Sequence, residues 1–139
     1  ELSQIAAEDS RIFYGGMLLN AEIVEREMAA TLLVNPRPTG EEYVKYSFPS
    51  KTMEYMASGR PVMMFRLDGI PGEYDPFLTY IPEESAASIR DTAESLRKLS
   101  PSELDEMGAR GREFVLKNKN RNVQMRRVLD FIHKEQSDA

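Results

Sequence analysis

The sequence predicts an α/β fold: a Rossmann-like open parallel sheet flanked by helices, with a helical C-terminal part. Two observations predict it. Short apolar runs alternate with amphipathic helical patterns as far as Ile81, and only helical periodicity follows. Such alternation is typical of parallel sheets joined by right-handed crossovers. At 139 residues, 41% of them hydrophobic, the chain has the length and apolar content of one domain with one core.

The first predicted strand and helix lie before residue 30. Residues 11–14 are a short β-rich run that stops at Gly15 and Gly16. Asn20 belongs to the residue types that cap helices, so a helix is expected after it. Three apolar residues share one face of that helix: Ile23, Val24 and Met28.

The middle of the chain continues the alternation. Residues 31–34 are a continuous apolar run, which is typical of a strand buried on both faces of a parallel sheet, and Pro36 and Pro38 follow it. The next predicted elements are a loop over residues 35–49, a helix over 50–58, a second buried strand over 61–65, a Gly- and Pro-bearing loop over 67–76 and a short edge strand over 78–81.

The remainder of the chain is predicted to be helical. Ser100 and Pro101 mark one helix start, with Ser as the cap and Pro at the first helical position. Three apolar faces define three helices: Ala86, Ile89, Ala93 and Leu96; Leu104, Met107, Gly111 and Phe114; Met125, Val128, Leu129 and Ile132.

Composition excludes several classes of protein. A net charge of −5 and a pI near 5.0 argue against a nucleic-acid partner, which requires a basic surface. Without cysteine there is no disulfide or thiolate metal site, and His133 alone cannot form a histidine metal site, so no metal is expected. No apolar run reaches the roughly 20 residues of a membrane span. We expect a reducing, cytoplasmic setting, and the first residue, Glu1, suggests a part of a longer protein.

The chemistry is expected at the carboxyl ends of the strands. In open parallel sheets, ligands bind in the crevice there, and the loops after Val34 and Phe65 both reach it. Pro49 fixes the entry to the helix over residues 50–58, and Ser50 is expected to cap that helix. The backbone N–H groups of its first turn carry the positive end of the helix dipole, which favours a phosphate.

Glu54 lies one turn along the same helix, on the ridge that Ser50 begins and about 5 to 6 Å from it. A carboxylate there can accept two hydroxyl hydrogen bonds from a ribose whose diphosphate lies at the helix start. The alternatives are a solvated glutamate and a Ser-Lys start that only caps the helix. Spacing alone does not decide between these interpretations.

These residues also carry a family resemblance. The string FPSKTMEYMASGRPVM, with TLLVNPRP before it and DGIPGEYDPFLTYIPEE after it, resembles the C-terminal, donor-binding domain of retaining glycosyltransferases of the GT-B fold. The similar proteins are a large bacterial group that builds surface polysaccharides from nucleotide-sugars. The resemblance implies one half of a GT-B fold, with Glu54 on the ribose, Ser50 and Lys51 at the diphosphate, and no essential metal or other cofactor.

The chain departs from that family in three ways. Many members have a second glutamate, on the transferred sugar, where this chain has Tyr46; we expect Tyr46, Lys45 or Glu42 to replace it. The family's basic pair near the start of the domain has no match before Arg11. The acceptor-binding N-terminal domain is absent, so residues 1–139 are expected to be a donor-domain fragment that is inactive alone.

Other features have two interpretations each. Arg37, at the end of a strand, is expected to reach the phosphates or to form a structural salt bridge. Residues 68–72 form a rim loop near the sugar or only tight turns. Seven basic residues and one acidic residue lie between Arg110 and Arg127, a pattern that fits anionic lipid, a solvated face or a contact with the missing domain. His133 is expected to be an ordinary surface residue.

The sequence therefore predicts a hexosyltransferase. Its donor would be a nucleotide-sugar such as a UDP- or GDP-hexose, and its acceptor a glycan or a lipid-linked glycan. The setting is cytoplasmic, with peripheral contact to the inner face of the membrane as an option. The alternative is a non-catalytic, Rossmann-like module that binds a nucleotide or another protein.

Overall fold

A computed structural model describes residues 2–40 and 42–137, with side chains as far as residue 134. The helices are α1 (Leu2–Glu8), α2 (Asn20–Ala29), α3 (Ser50–Ser58), α4 (Ala86–Arg97), α5 (Pro101–Asn118) and α6 (Arg121–Ser137). The strands are β1 (Leu33–Asn35), β2 (Val62–Phe65) and β3 (Thr79–Ile81), and two 3₁₀ helices cover Glu42–Tyr46 and Gly72–Phe77.

The three strands form a parallel sheet in the order β1-β2-β3, which confirms the predicted α/β class. All four residues of the central strand β2 are buried, as its continuous apolar run predicts. Their side chains alternate between two core clusters. Val62 and Met64 pack with Met56 of α3 and Val115 of α5, whereas Met63 packs with Leu96 of α4. The small sheet therefore has helices on both faces.

Two strand predictions are wrong. Residues 11–14 form no strand, and the side chain of Phe13 is 72% exposed. β1 begins at Leu33, pairs only with β2 and leaves Val34 37% exposed, so it is an edge strand rather than one buried on both faces. Strand formation needs a paired neighbour and a covered face, and residues 11–14 acquire neither in the described chain.

The helix ends test the predicted caps. Asn20 and Ser50 were expected to cap α2 and α3, but each is the first helical residue, and Leu19 and Pro49 occupy the cap positions. At α2 the cap is completed by Glu22, whose carboxylate accepts a hydrogen bond from the Leu19 N–H. At α5 the prediction is confirmed: the Ser100 hydroxyl accepts from the Glu103 N–H, and the Glu103 carboxylate accepts from the Ser100 N–H.

The end of α3 packs closely against α5. Gly59 ends α3 with a φ of 81°, a left-handed conformation that favours glycine. Gly108 of α5 lies directly on it, and a Cβ atom added to Gly108 would come 2.0 Å from the Gly59 carbonyl oxygen. The backbones of α3 and α5 can approach this closely only because residue 108 has no side chain.

The three C-terminal helices are confirmed, and α6 differs from the others. Its apolar side chains Met125, Val128, Leu129 and Ile132 are exposed. The basic residues between Arg110 and Arg127 lie on α5, α6 and the short turn between them. Within residues 2–40 and 42–137, no helix is both long and apolar enough to cross a membrane.

Candidate functional site

Two loops meet at the carboxyl end of the sheet, as expected for parallel strands. The loop after β2 contains Gly69, which lies against the backbone of Ser47 in the turn before α3. A Cβ atom at Gly69 would be 2.4 Å from the Ser47 carbonyl oxygen. The loop after β1 is also joined to the segment between β3 and α4, because the Thr39 N–H donates a hydrogen bond of 2.6 Å to the Glu84 carboxylate. These contacts bring the loops after β1 and β2 together beside the start of α3.

A small polar cavity lies between these loops. It encloses about 180 Å³ and is lined by Thr39, Val44, Lys45, Arg66 and Asp68. Two cations and one carboxylate therefore line one small space. Asp68 belongs to the predicted rim loop, and Lys45 was one of three candidates for the sugar contact.

Arg66 was missed at the sequence level. Its guanidinium donates to the Tyr80 hydroxyl at 2.6 Å and forms an ion pair with Asp75, so its side chain is held in place. Arg66 directly follows β2, the central strand. This is the same criterion, a cation at the carboxyl end of a strand, that selected Arg37 after β1. Applied to both strands, it would have found Arg66.

The start of α3 has the predicted position. Ser50 is exposed at the first helical position and makes no cap hydrogen bond, whereas the Thr52 N–H donates to the Pro49 carbonyl at 2.9 Å. Thr52 itself is fully buried, next to Met64 of β2, and anchors the first turn against the sheet. The helix start thus faces the crevice from a rigid base.

Lys51 and Glu54 are joined to each other. The Lys51 ammonium lies 2.9 Å from Oε2 of Glu54, whose side chain is 32% exposed. This hydrogen bond raises the pKa of Lys51. Lys51 was expected at the diphosphate. In the structure its side chain extends along α3 to Glu54, the carboxylate expected to bind the ribose.

Glu27 of α2 completes this cluster and was also missed. It is only 7% exposed, and its Oε1 lies 3.7 Å from the Lys51 ammonium. Burial raises the pKa of Glu27, and the neighbouring Glu54 carboxylate raises it further, while Lys51 acts in the opposite direction. Burial likewise raises the pKa of Tyr55 on α3. The sequence contained an indication: Glu27 lies four residues after Ile23, on the apolar face of α2.

Two predicted site residues lie elsewhere. Tyr46 is 86% exposed and is not among the residues that line the cavity. The Arg37 guanidinium lies over the ring of Tyr43, 5.4 Å from its centroid. Among the described residues, neither forms a hydrogen bond or an ion pair with Lys51 or Glu54. The structure therefore brings together Ser50, Lys51 and Glu54 on one helix and Lys45 in the adjoining cavity.

Two further observations concern ligands. A larger cavity, about 570 Å³, is a groove between β3 and α4 lined mostly by small, hydroxyl and acidic side chains, with no cation among its lining residues. Its chemistry suits a charged diphosphate less well than the smaller cavity with Lys45 and Arg66.

In residues 2–40 and 42–137, no group of three or more His, Cys, Asp or Glu side chains is placed to hold a metal ion.

Comparison with known proteins adds no assignment. No family model, no curated protein sequence and no solved structure matches the chain. The resemblance to glycosyltransferases, and the roles that it implies for individual residues, therefore remain predictions. The geometry described above is the basis for a functional proposal.

Proposed function

We propose that this domain binds the nucleotide-sugar donor of a retaining hexosyltransferase and forms the donor half of a GT-B fold. One observation carries the proposal. The exposed start of α3, with Glu54 one turn along it, stands beside a polar cavity lined by Lys45 and Arg66 at the carboxyl edge of a parallel sheet. This arrangement offers a place for the diphosphate and for the ribose of a nucleotide-sugar.

The diphosphate would lie at the first turn of α3. The helix dipole favours an anion there, as do the N–H groups of the exposed residues Ser50 and Lys51, whereas the Thr52 N–H already donates to the Pro49 carbonyl. Lys45 and Arg66 line the adjoining cavity together with the Asp68 carboxylate, and Asp75 pairs with Arg66. In the transfer step these cations would stabilise the charge that develops on the leaving diphosphate. No metal ion is required for this role.

The ribose would bind to Glu54. Its Oε2 is engaged by Lys51, but an ionised carboxylate has about four lone-pair sites, so it can accept ribose hydroxyls without losing that partner. The ion pair also holds the carboxylate in one orientation before the ligand arrives. Preorganisation of this kind lowers the entropy cost of binding.

The remaining parts of the enzyme would come from elsewhere. The acceptor, a glycan or a lipid-linked glycan, would be held by an N-terminal domain outside this chain, and the isolated domain would not transfer sugar. The exposed apolar face of α6 and the basic residues between Arg110 and Arg127 are available for that domain or for anionic lipid. A non-catalytic nucleotide-binding or protein-interaction module is the alternative class.

An NMR titration tests the proposal directly. UDP, GDP, ADP and their sugars are added to the labelled domain, and each free nucleoside serves as a comparison. We expect the amides of Lys51, Thr52 and Met53 to shift more with the diphosphate than with the nucleoside, because only the phosphates reach the helix start. Equal shifts with both, or shifts confined to residues 110–127, would contradict the placement.

Substitution of Glu54 tests the ribose contact. Glu54→Ala is expected to weaken nucleoside-diphosphate binding by about 1.5 to 3 kcal/mol, the typical contribution of hydrogen bonds to a charged group. The matched control is Glu106→Ala, which removes an exposed carboxylate from α5 and is expected to leave the affinity unchanged. Unchanged affinity in the Glu54 variant would refute the ribose assignment, and sugar transfer by the isolated domain would refute the division of roles.

A further inference from the structure

The buried carboxylate of Glu27 has no role in the function proposed above. Burial of a carboxylate is costly unless a cation pairs closely with it. Glu27 is buried, yet its nearest cation, the Lys51 ammonium, lies no closer than 3.7 Å. This nearest positive charge belongs to a residue of the first turn of α3, where the diphosphate is proposed to bind. A substitution by a neutral residue would remove this cost, so the placement of Glu27 next to the site calls for a functional explanation.

Among the described residues, the titratable groups that interact with Glu27 belong to α3 and are Lys51, Glu54 and Tyr55. One ammonium is shared by two carboxylates, at 2.9 Å from Glu54 and 3.7 Å from Glu27. With both carboxylates ionised, the three charges sum to minus one. A proton on Glu27 brings the sum to zero.

We propose that Glu27 is a positioning residue of the donor site, which holds the Lys51 ammonium among the carboxylates and thereby opposes its movement toward the phosphates of the ligand. This inference rests on the proposed function, since it takes the diphosphate to lie at the start of α3. The ligand class is a diphosphate diester, such as a nucleotide-sugar.

The geometry has a consequence for binding. Ionised Glu27 competes with the phosphates for Lys51 and adds a negative charge beside them, whereas protonated Glu27 does neither. Binding therefore tightens as the pH falls through the pKa of Glu27, and by linkage the protein takes up a proton when the ligand binds.

Affinities of UDP-glucose and GDP-mannose, measured by NMR titration from about pH 5 to about pH 8, provide the test. Both ligands are phosphate diesters and stay ionised throughout, so the pH dependence belongs to the protein. For the wild-type chain we expect higher affinity at the acidic end, by at most about tenfold for each unit by which ligand binding raises the pKa of Glu27. Glu27→Gln is expected to show no such dependence and to bind more tightly than wild type at neutral pH.

The control variant is Glu25→Gln, which removes an exposed carboxylate from the same helix and is expected to keep the wild-type profile. A second measurement needs no variant: calorimetric titration in two buffers of different ionisation enthalpy counts the protons taken up by the wild-type chain on binding. Binding without proton uptake, or a pH profile that Glu27→Gln leaves unchanged, would overturn this inference alone. Absence of binding of either ligand at every pH would overturn the proposed function together with it.

Discussion

Gly108→Ala is expected to destabilise the fold strongly, because residue 108 lies where α5 meets the end of α3. The added methyl group would come 2.0 Å from the Gly59 carbonyl oxygen, 2.6 Å from its carbonyl carbon and 2.9 Å from the Arg60 Cα. All three are backbone atoms, which cannot rotate away as a flexible side chain can. The two helices must therefore separate by about 1 Å, which loosens the core between them.

The magnitude follows from two opposing terms. Replacing a helical glycine by alanine stabilises a helix by about 1 kcal/mol, whereas overpacking costs typically about 1 to 3 kcal/mol and sometimes more. With backbone on both sides of the contact, the upper part of that range applies, and we expect a net loss of about 1 to 2 kcal/mol in the free energy of unfolding.

Gly111→Ala, one turn further along α5, is the matched control. Its methyl group would meet the Met56 Cε at 3.7 Å and the Phe77 Cβ at 3.8 Å, which are ordinary contact distances. Only the effect of helix propensity remains, so the free energy of unfolding of this variant is expected to rise by about 0.5 to 1 kcal/mol. Urea unfolding of the three proteins measures both changes. Equal stabilities for the two variants would refute the close approach of α3 and α5.

Two further predictions concern the site. Because the pKa of Glu27 is raised in the folded chain, the folded state binds that proton more tightly than the unfolded state, and the free energy of unfolding contributed by Glu27 falls as the pH rises from about 4.5 through the raised value. The stability of Glu27→Gln relative to wild type should grow over that window in urea unfolding; a difference that stays constant with pH would contradict the assignment. Gly69→Ala, whose methyl group would meet the Ser47 backbone at 2.4 Å, should displace the rim loop and weaken binding of UDP or GDP in the same NMR titration. Gly72→Ala, whose added methyl group has its nearest contact at 3.7 Å, should leave that binding unchanged. Equal affinities of the two variants for UDP or GDP would show that the rim loop does not shape the site.

Most predictions that depended on neighbouring residues along the chain agree with the structure, although the caps expected at Asn20 and Ser50 do not. α3 covers residues 50–58 as predicted, so Ser50 and Glu54 share a ridge, and Ser100 with Pro101 starts α5. The end of α3 at Gly59 is equally local. Helix periodicity and capping act over about four residues, which a single sequence displays directly.

Strand predictions succeeded only where the partner strands are present. The β2 run is buried because β1 and β3 pair with it on either side. Residues 11–14 have the composition of a strand but no neighbour in the described chain, and β1 has a neighbour on one side only. A strand obtains its hydrogen bonds from another segment, so composition alone cannot establish that it forms.

From the sequence alone one can predict the class of the fold, the helix that carries Ser50, Lys51 and Glu54, and the edge of the sheet where they lie. Which groups surround these residues depends on tertiary packing. Packing of α2 on α3 placed Glu27 beside Lys51, and the contact of Gly69 with the turn before α3 set the rim beside the cavity that Arg66 lines. The physical reason is that helix geometry follows from interactions within one segment, whereas the charges at a site come from segments far apart in the chain, brought together only by burial of their apolar faces.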